Sequence, residues 1–198
     1  MNPEFVLDFW FGKLDSFGRA SPEQRKKWFQ KNPQFDEEIK SLFISTYHQA
    51  MEGEFQSWLD QPRSRLAYVL ILDQFSRNMF RGKPEMFSAD PITMDIVHSG
   101  LRSAMDEKLF LDGRVFFYMP LMHSEKIRDQ EECIRRFEEL REELPMEIHS
   151  HVDSNLEFAM KHWEVINRFS RFPHRNEILC RQSTPEELQF LKSPGSRF

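Results

Sequence analysis

Seven consecutive apolar residues, Leu66 to Leu72, constrain this chain more than any other stretch. They follow Pro62, which suits the first turn of a helix, and run on into Asp73-Gln74-Phe75-Ser76-Arg77-Asn78 with no glycine or proline between. A helix that is apolar on every face must be surrounded by other helices. Asp73 falls on the stripe of Leu66, Val69 and Leu70, and Arg77 and Arg81 follow at four-residue steps. A carboxylate placed there demands a partner, because an unpaired buried charge is costly to desolvate. Arg77 is the nearest cation.

Asn155 to Arg181 repeats the theme. A broad apolar helix ends in Arg168, Arg171, His174, Arg175, Asn176 and Arg181, crowded around Pro173, which stops it. Both stretches carry Phe-Ser-Arg, at 75–77 and at 169–171. Two helices that bury themselves and then emerge in arginine and asparagine predict a polar hollow at one end of a helical bundle.

The remaining chain is punctuated by helix starts. Asn2-Pro3-Glu4, Ser21-Pro22-Glu23 and Asp90-Pro91 each place a capping residue before a proline at the first helical position. Thr184-Pro185-Glu186-Glu187 is a capping box. Phe35, Ile39, Leu42, Phe43 and Tyr47 mark a long amphipathic helix that Gly53 ends. Leu111-Asp112-Gly113 reads as a turn, and Pro120 as a break or kink within Arg114–Lys126. Ser124 and Glu125 read as the cap of a solvated outer helix, Glu125 to Leu144, with a thin apolar stripe of Ile127, Cys133 or Ile134, Phe137 and Leu140. No segment alternates in the manner of a strand, and few glycines (7) beside many phenylalanines (20) favour packed helices. The expected fold is all-α, with about eight to ten helices in consecutive antiparallel pairs. The expected organisation is one domain over 1–198, or two closely packed halves dividing near 82–90.

The net charge of −5, with no long basic block, gives no electrostatic case for nucleic acid. Cys133 and Cys180 lack metal or redox spacing and read as reduced thiols. No apolar run approaches the ~18 residues of a membrane span, and the N-terminus lacks a basic region before its aromatics. The cytoplasm is the expected setting, with no membrane partner.

Taken in order, several pieces together resemble a bacterial family known as domain of unknown function 924. They are Val6-Leu7-Asp8-Phe9-Trp10-Phe11, Leu72 to Asn78, Phe80-Arg81-Gly82, Phe116 to Glu125, Arg168 to Asn176, Ser183 to Glu187 and Pro194-Gly195-Ser196. Ser170 and Cys180 stand where that family is expected to carry glycine. The resemblance implies a fold similar to right-handed tetratricopeptide-repeat superhelices, and implies no activity.

The candidate site gathers Asp73, Arg77, Asn78, Arg81, Tyr118, His123, Glu125, Arg168, Arg171, His174, Arg175 and Asn176. These groups, around 73–81, 118–125 and 168–176, are expected to meet at one water-accessible hollow built by helix termini. Guanidinium groups fork onto carboxylate or phosphate, and amides both donate and accept. Tyr118 is the one aromatic of its run expected to offer a hydroxyl to the pocket. The leading reading is a ligand-binding helical module that holds an anionic group of a peptide or small metabolite. Two others stand beside it: a scaffold whose arginines tie helix ends, and an enzyme using His123 or His174 as proton shuttle. No metal and no cofactor is expected, since no His-x-x-x-His lies on a helix. The sequence leaves catalysis and oligomeric state open.

Overall fold

A computed structural model of the chain describes residues 1–196. The chain is all-α: among the described residues there is no strand, only an isolated antiparallel bridge between Leu14 and Ala20. None of the described helices is long and apolar enough to cross a membrane. The chain divides into two compact units, Met1–Pro120 and Leu121–Phe198.

The first unit holds α1 (Pro3–Phe11), α2 (Pro22–Phe29), α3 (Pro33–Met51), α4 (Pro62–Leu70), α5 (Ser76–Met79) and α6 (Asp90–Arg102). The caps expected at Asn2 and Ser21 form, Asn32 adds another, and Asp90 lies inside the first turn of α6 with no side-chain cap. Asn2 Oδ1 accepts from Glu4 N, Ser21 Oγ from Gln24 N and Asn32 Oδ1 from Gln34 N, each ahead of a proline. Helices α4 and α5 form one continuous helix joined by a π turn at Ile71–Phe75. Leu66 to Leu72 is buried on all faces, as expected. Helix α1 packs on α4, α3 packs on α5 and the π turn, and α6 packs on α4. Aromatic rings fill the space between: Phe43 and Phe75 lie 4.6 Å apart, and Phe116 meets Trp28 edge-on at 4.6 Å. Burying each such ring contributes roughly 1.5–3 kcal/mol.

The division expected near 82–90 falls inside this unit. Arg77 Nη2 donates to Asp90 at 3.0 Å, and Ser76 Oγ lies 3.3 Å from Met86 O, so the connection after Gly82 is held against α5. The turn expected at Leu111-Asp112-Gly113 is instead the first turn of α7 (Leu111–His123). Asp112 supplies a carboxylate to that helix start, and its Oδ2 accepts Ala20 N at 2.7 Å. Gly113 suits the position because a Cβ there would meet Leu66 Cδ2 at 3.0 Å. Helix α7 also continues through Pro120 instead of ending there.

In the second unit, α8 (Ile127–Glu143) packs along α9 (Ser150–Phe169), and α10 (Pro185–Phe190) follows. Gln130 Nε2 takes up the carbonyls of Met122 and Ser124 at 2.7 Å each, which closes the end of α7. Ser124 Oγ accepts from Lys126 N ahead of α8 and donates to Asp129. Cys133, Phe137 and Leu140 are the buried stripe of α8. Val165, Ile166 and Phe172 form a buried cluster with Phe169 and Phe190 packed against it.

Ser170 closes α9 at φ 56°, and Cys180 sits at φ 53°, both in the left-handed region that favours glycine. Glycine at either position relieves a backbone cost of about 1–2 kcal/mol against an entropic loss of about 0.5–1. Ser170→Gly and Cys180→Gly should therefore each stabilise the protein by about 0.5–1 kcal/mol. A urea midpoint that rises with unchanged m-value checks this, and a fall would show that the native side chain makes up the strain.

Candidate functional site

The π turn inserts an extra residue into the buried helix and sets Asp73 and Arg77 at its edge. Asp73 is 1 % exposed. Its Oδ1 lies 2.9 Å from Arg77 Nη1, and Gln74 Nε2 donates to its Oδ2 at 2.6 Å. Arg77 Nη1 also donates to the Asp73 carbonyl, and Nη2 forks onto both oxygens of Asp90 at 3.0 and 3.2 Å. The partner expected for Asp73 is in place, and a second carboxylate shares it.

One turn on, Asp36 of α3 gathers the next two candidates. Arg81 Nε and Nη2 donate to its two oxygens at 2.7 and 2.8 Å, and Asn78 Nδ2 donates to Oδ1 at 2.7 Å. Burial opposes the Asp36 charge, but these donors outweigh it and hold the carboxyl below its usual range. A hollow of about 200 Å³ opens beside this pair, lined by Asp36, Glu37, Lys40, Asn78 and Arg81. Its charges are balanced, two acids against two bases.

Tyr118 corrects an expectation. It is fully buried, and its hydroxyl donates to Asp106 Oδ2 at 2.7 Å while accepting from Arg114 Nε at 3.2 Å. Burial first, and then the Asp106 charge, push the phenol up. The hydroxyl serves this interior network and not a pocket.

The second unit brings together the motif residues after α7 and after α9. Glu125 Oε1 accepts Phe172 N at 2.8 Å, and both its oxygens are forked by Arg181 at 2.7 and 2.9 Å. Burial raises the Glu125 carboxyl, yet Arg181 and the Phe172 amide outweigh it and hold it low. Arg175 stands 4.4 Å over the Phe172 ring and donates to the His123 carbonyl at 2.9 Å. Arg181 Nε donates to Asn176 Oδ1, and Asn176 Nδ2 donates to Ser183 Oγ. Arg171 forks onto Glu187 at 2.6 and 2.8 Å and reaches the Gln182 carbonyl. Glu187 is 2 % exposed and closes the expected capping box by accepting Thr184 N at 2.7 Å. The Arg171 fork, with the Thr184 amide and Asn176 assisting, lowers its carboxyl from the ordinary 4.5 to about 2. Arg168 pairs with Glu186 at the surface. His174 packs on Phe172 at 5.5 Å, as does the buried His162, whose imidazole burial pushes down to about 3. Among the described residues no group of three or more His, Cys, Asp or Glu side chains is arranged to hold a metal ion.

The guanidinium groups of Arg77, Arg81, Arg168, Arg171 and Arg181 are thus each answered by a carboxylate of the chain. A different feature was missed in the sequence. The connection from α1 to α2 bounds a hollow of about 430 Å³ lined by Lys13, Asp15, Arg19, Ser21 and Arg25, three cations against one carboxylate. The connection is a tight, internally bonded loop. Asp15 Oδ1 accepts Phe17 N and Arg19 N at 2.9 Å each, and Oδ2 accepts Arg19 Nε at 2.8 Å. Gly18, at φ 77°, lies so close to α7 that a Cβ would come within 2.9 Å of Leu111 N. Its carbonyl accepts Asp112 N at 3.1 Å, which pins the loop. The available signal was the recurrence of cations at 13 and 19 in a glycine-containing connection between two capped helices, with a third at 25 in the first turns of α2.

These features define a class: an all-helical protein whose helix ends are tied by arginine–carboxylate pairs, with a preformed cationic loop at one connection. The chain belongs to the family described as bacterial proteins of unknown function (DUF924), whose model matches residues 6–195. It is similar to a solved protein of unknown function from Agrobacterium tumefaciens at 35% identity, over 96% of each chain and with a TM-score of 0.79. Among curated proteins none matches the chain. Both descriptions leave activity open, so function has to be argued from the residues.

Two substitutions test the structural pairs. Asp73→Asn should cost about 3 kcal/mol in denaturant unfolding, since it strips Arg77 of its buried counter-charge. Glu187→Gln keeps a capping side chain but removes the charge, and should cost about 2 kcal/mol at pH 7. A lowered carboxyl stabilises the fold above the ordinary 4.5 and loses that contribution as pH falls toward about 2. The unfolding free energy of the parent protein should therefore drop more steeply across that window than that of Glu187→Gln. Parallel curves would show that the charge contributes nothing.

Proposed function

We propose that this chain is a ligand-binding helical module, that its ligand carries an anionic group, and that the group enters the hollow at the α1–α2 connection. The observation that supports this is the lining: Lys13, Arg19 and Arg25 with Asp15, which pairs with Arg19, beside a loop pinned by Gly18 and Asp112. Cationic groups on a rigid loop need little reorganisation to take an anion. The arginines of the two Phe-Ser-Arg segments are held by the chain's own carboxylates, which favours a helix-tying role for them. An external anion at Arg77 or Arg171 would have to displace a buried carboxylate and leave it unpaired. Consecutive helix pairs such as α8 and α9 are the kind of unit that tetratricopeptide-like binding modules stack. Two free cysteines, one buried and one exposed, support a cytoplasmic setting.

The test is a titration of the full chain with inorganic phosphate at low ionic strength, followed by amide chemical shifts. Shifts are expected in residues 12–25, weakening as salt rises, and Lys13→Ala with Arg25→Ala should reduce affinity by about tenfold or more. Shifts centred on Arg77 or Arg171, or none anywhere, would overturn the reading.

A further inference from the structure

Helices α1 and α3 meet through aromatic rings, and the seam between them is open along one side. Phe9 lies 5.7 Å from Phe35 and 5.0 Å from Phe43, whereas Phe5, four residues earlier on α1, reaches Phe43 at 5.7 Å. The two helices therefore run antiparallel. Phe35 and Phe43 are buried and floor the seam, with Phe9 half-buried between them. Phe5 is 46 % exposed and Leu42 is 42 % exposed. Leu42 stands two turns on from Phe35 along one side of α3 and next to Phe43, which sets it level with Phe5 across the seam. Two large apolar side chains on either side of an aromatic floor make a contiguous groove, and contiguous apolar surface marks an interaction site where scattered residues do not.

Charge selects the occupant. Asp8 follows Phe5 by three residues on α1, and Glu38 precedes Leu42 by four on α3, so an exposed acid stands beside each wall. Arg63, the cation whose field Asp8 shares, is forked by Glu4. Lys27 lies 5.9 Å over the Phe35 ring, at the far end of the groove. We propose that this groove docks an amphipathic helix of a partner protein, its apolar stripe seated between Phe5 and Leu42 and basic residues on its edges meeting Asp8 and Glu38. Helices dock in this way through anchors about one turn apart, and opposite charges at the rims steer and orient them. An acidic helix would meet both rims with like charge. The net charge of −5 on the whole chain favours a basic partner in the same sense.

The probe is a pair of synthetic peptides of about 18 residues, long enough to hold a helix. Both carry a leucine stripe at helical spacing; one has lysine along the edges and the other glutamate. In calorimetric titrations of the intact chain the lysine peptide is expected to bind about tenfold or more tightly than the glutamate peptide. Its amide shifts should map to residues 5–9 and 38–45. Leu42→Asp should weaken it about tenfold or more, and Phe5→Ser is the second variant should the first melt early. Asp8→Lys with Glu38→Lys should reverse the preference between the peptides, which a general attraction to an acidic protein would not do. Equal binding of both peptides, no binding of either, or affinity indifferent to Leu42→Asp and Phe5→Ser would overturn the proposal. A dimer in sedimentation that Leu42→Asp abolishes would assign the groove to a second copy of the chain and overturn it equally.

Discussion

A carboxylate enclosed by apolar helices keeps its charge only if a cation comes in with it, and that requirement organises both units. Asp73 lies at the end of the helix that is buried on every face, and Arg77 reaches back to it and on to Asp90. The pair fixes where the connection after Gly82 can run. The buried Glu187 and the half-buried Glu125 act likewise in the second unit, where Arg171 and Arg181 draw the segment after α9 onto the start of α10 and the loop after α7. Each fork satisfies a charge, several backbone groups and a loop position at once. Removing one partner therefore exposes more than one orphaned group.

That economy bears on function. An arginine already neutralised at short range is a poor receptor for a second anion, because binding must first break an interaction in a low-dielectric setting. The residue types that suggest a clamp in the sequence are the ones the fold uses to hold itself together. Lys13, Arg19 and Arg25 gather around the α1–α2 connection, where Asp15 organises the loop and holds Arg19. A loop fixed by backbone bonds over a rigid scaffold is a common seat for recognition.

The two Phe-Ser-Arg segments show how far sequence identity carries. At 75–77 the tripeptide stays inside a continuous helix at a π turn, and Ser76 Oγ bonds back to the Leu72 carbonyl at 2.6 Å. At 169–171 the same three residues end a helix, with Ser170 in the left-handed region. Burial decides between them. Helix interior surrounds Ser76 and removes any competing water, whereas Pro173 forces the chain out of the helix just after Ser170. Pro120 makes the complementary point. Its lost N–H bond did not end α7, whose terminal carbonyls are taken by Gln130 from the next helix.

Local chemistry alone determined the all-helical class, the capped starts at Asn2, Ser21 and Thr184, the buried stretch from Leu66 to Leu72 and the need for Arg77 beside Asp73. Each rests on interactions within a few residues, so spacing is enough to read them. Only tertiary structure decided that Asp36 answers Arg81 across 45 positions, that Glu125 answers Arg181 across 56, and that Tyr118 turns its hydroxyl to Asp106. It alone also set the cationic loop against the start of α7 through Gly18 and Asp112. Which carboxylate meets which arginine depends on the path of the chain between them, and a linear pattern of charges carries no record of that path.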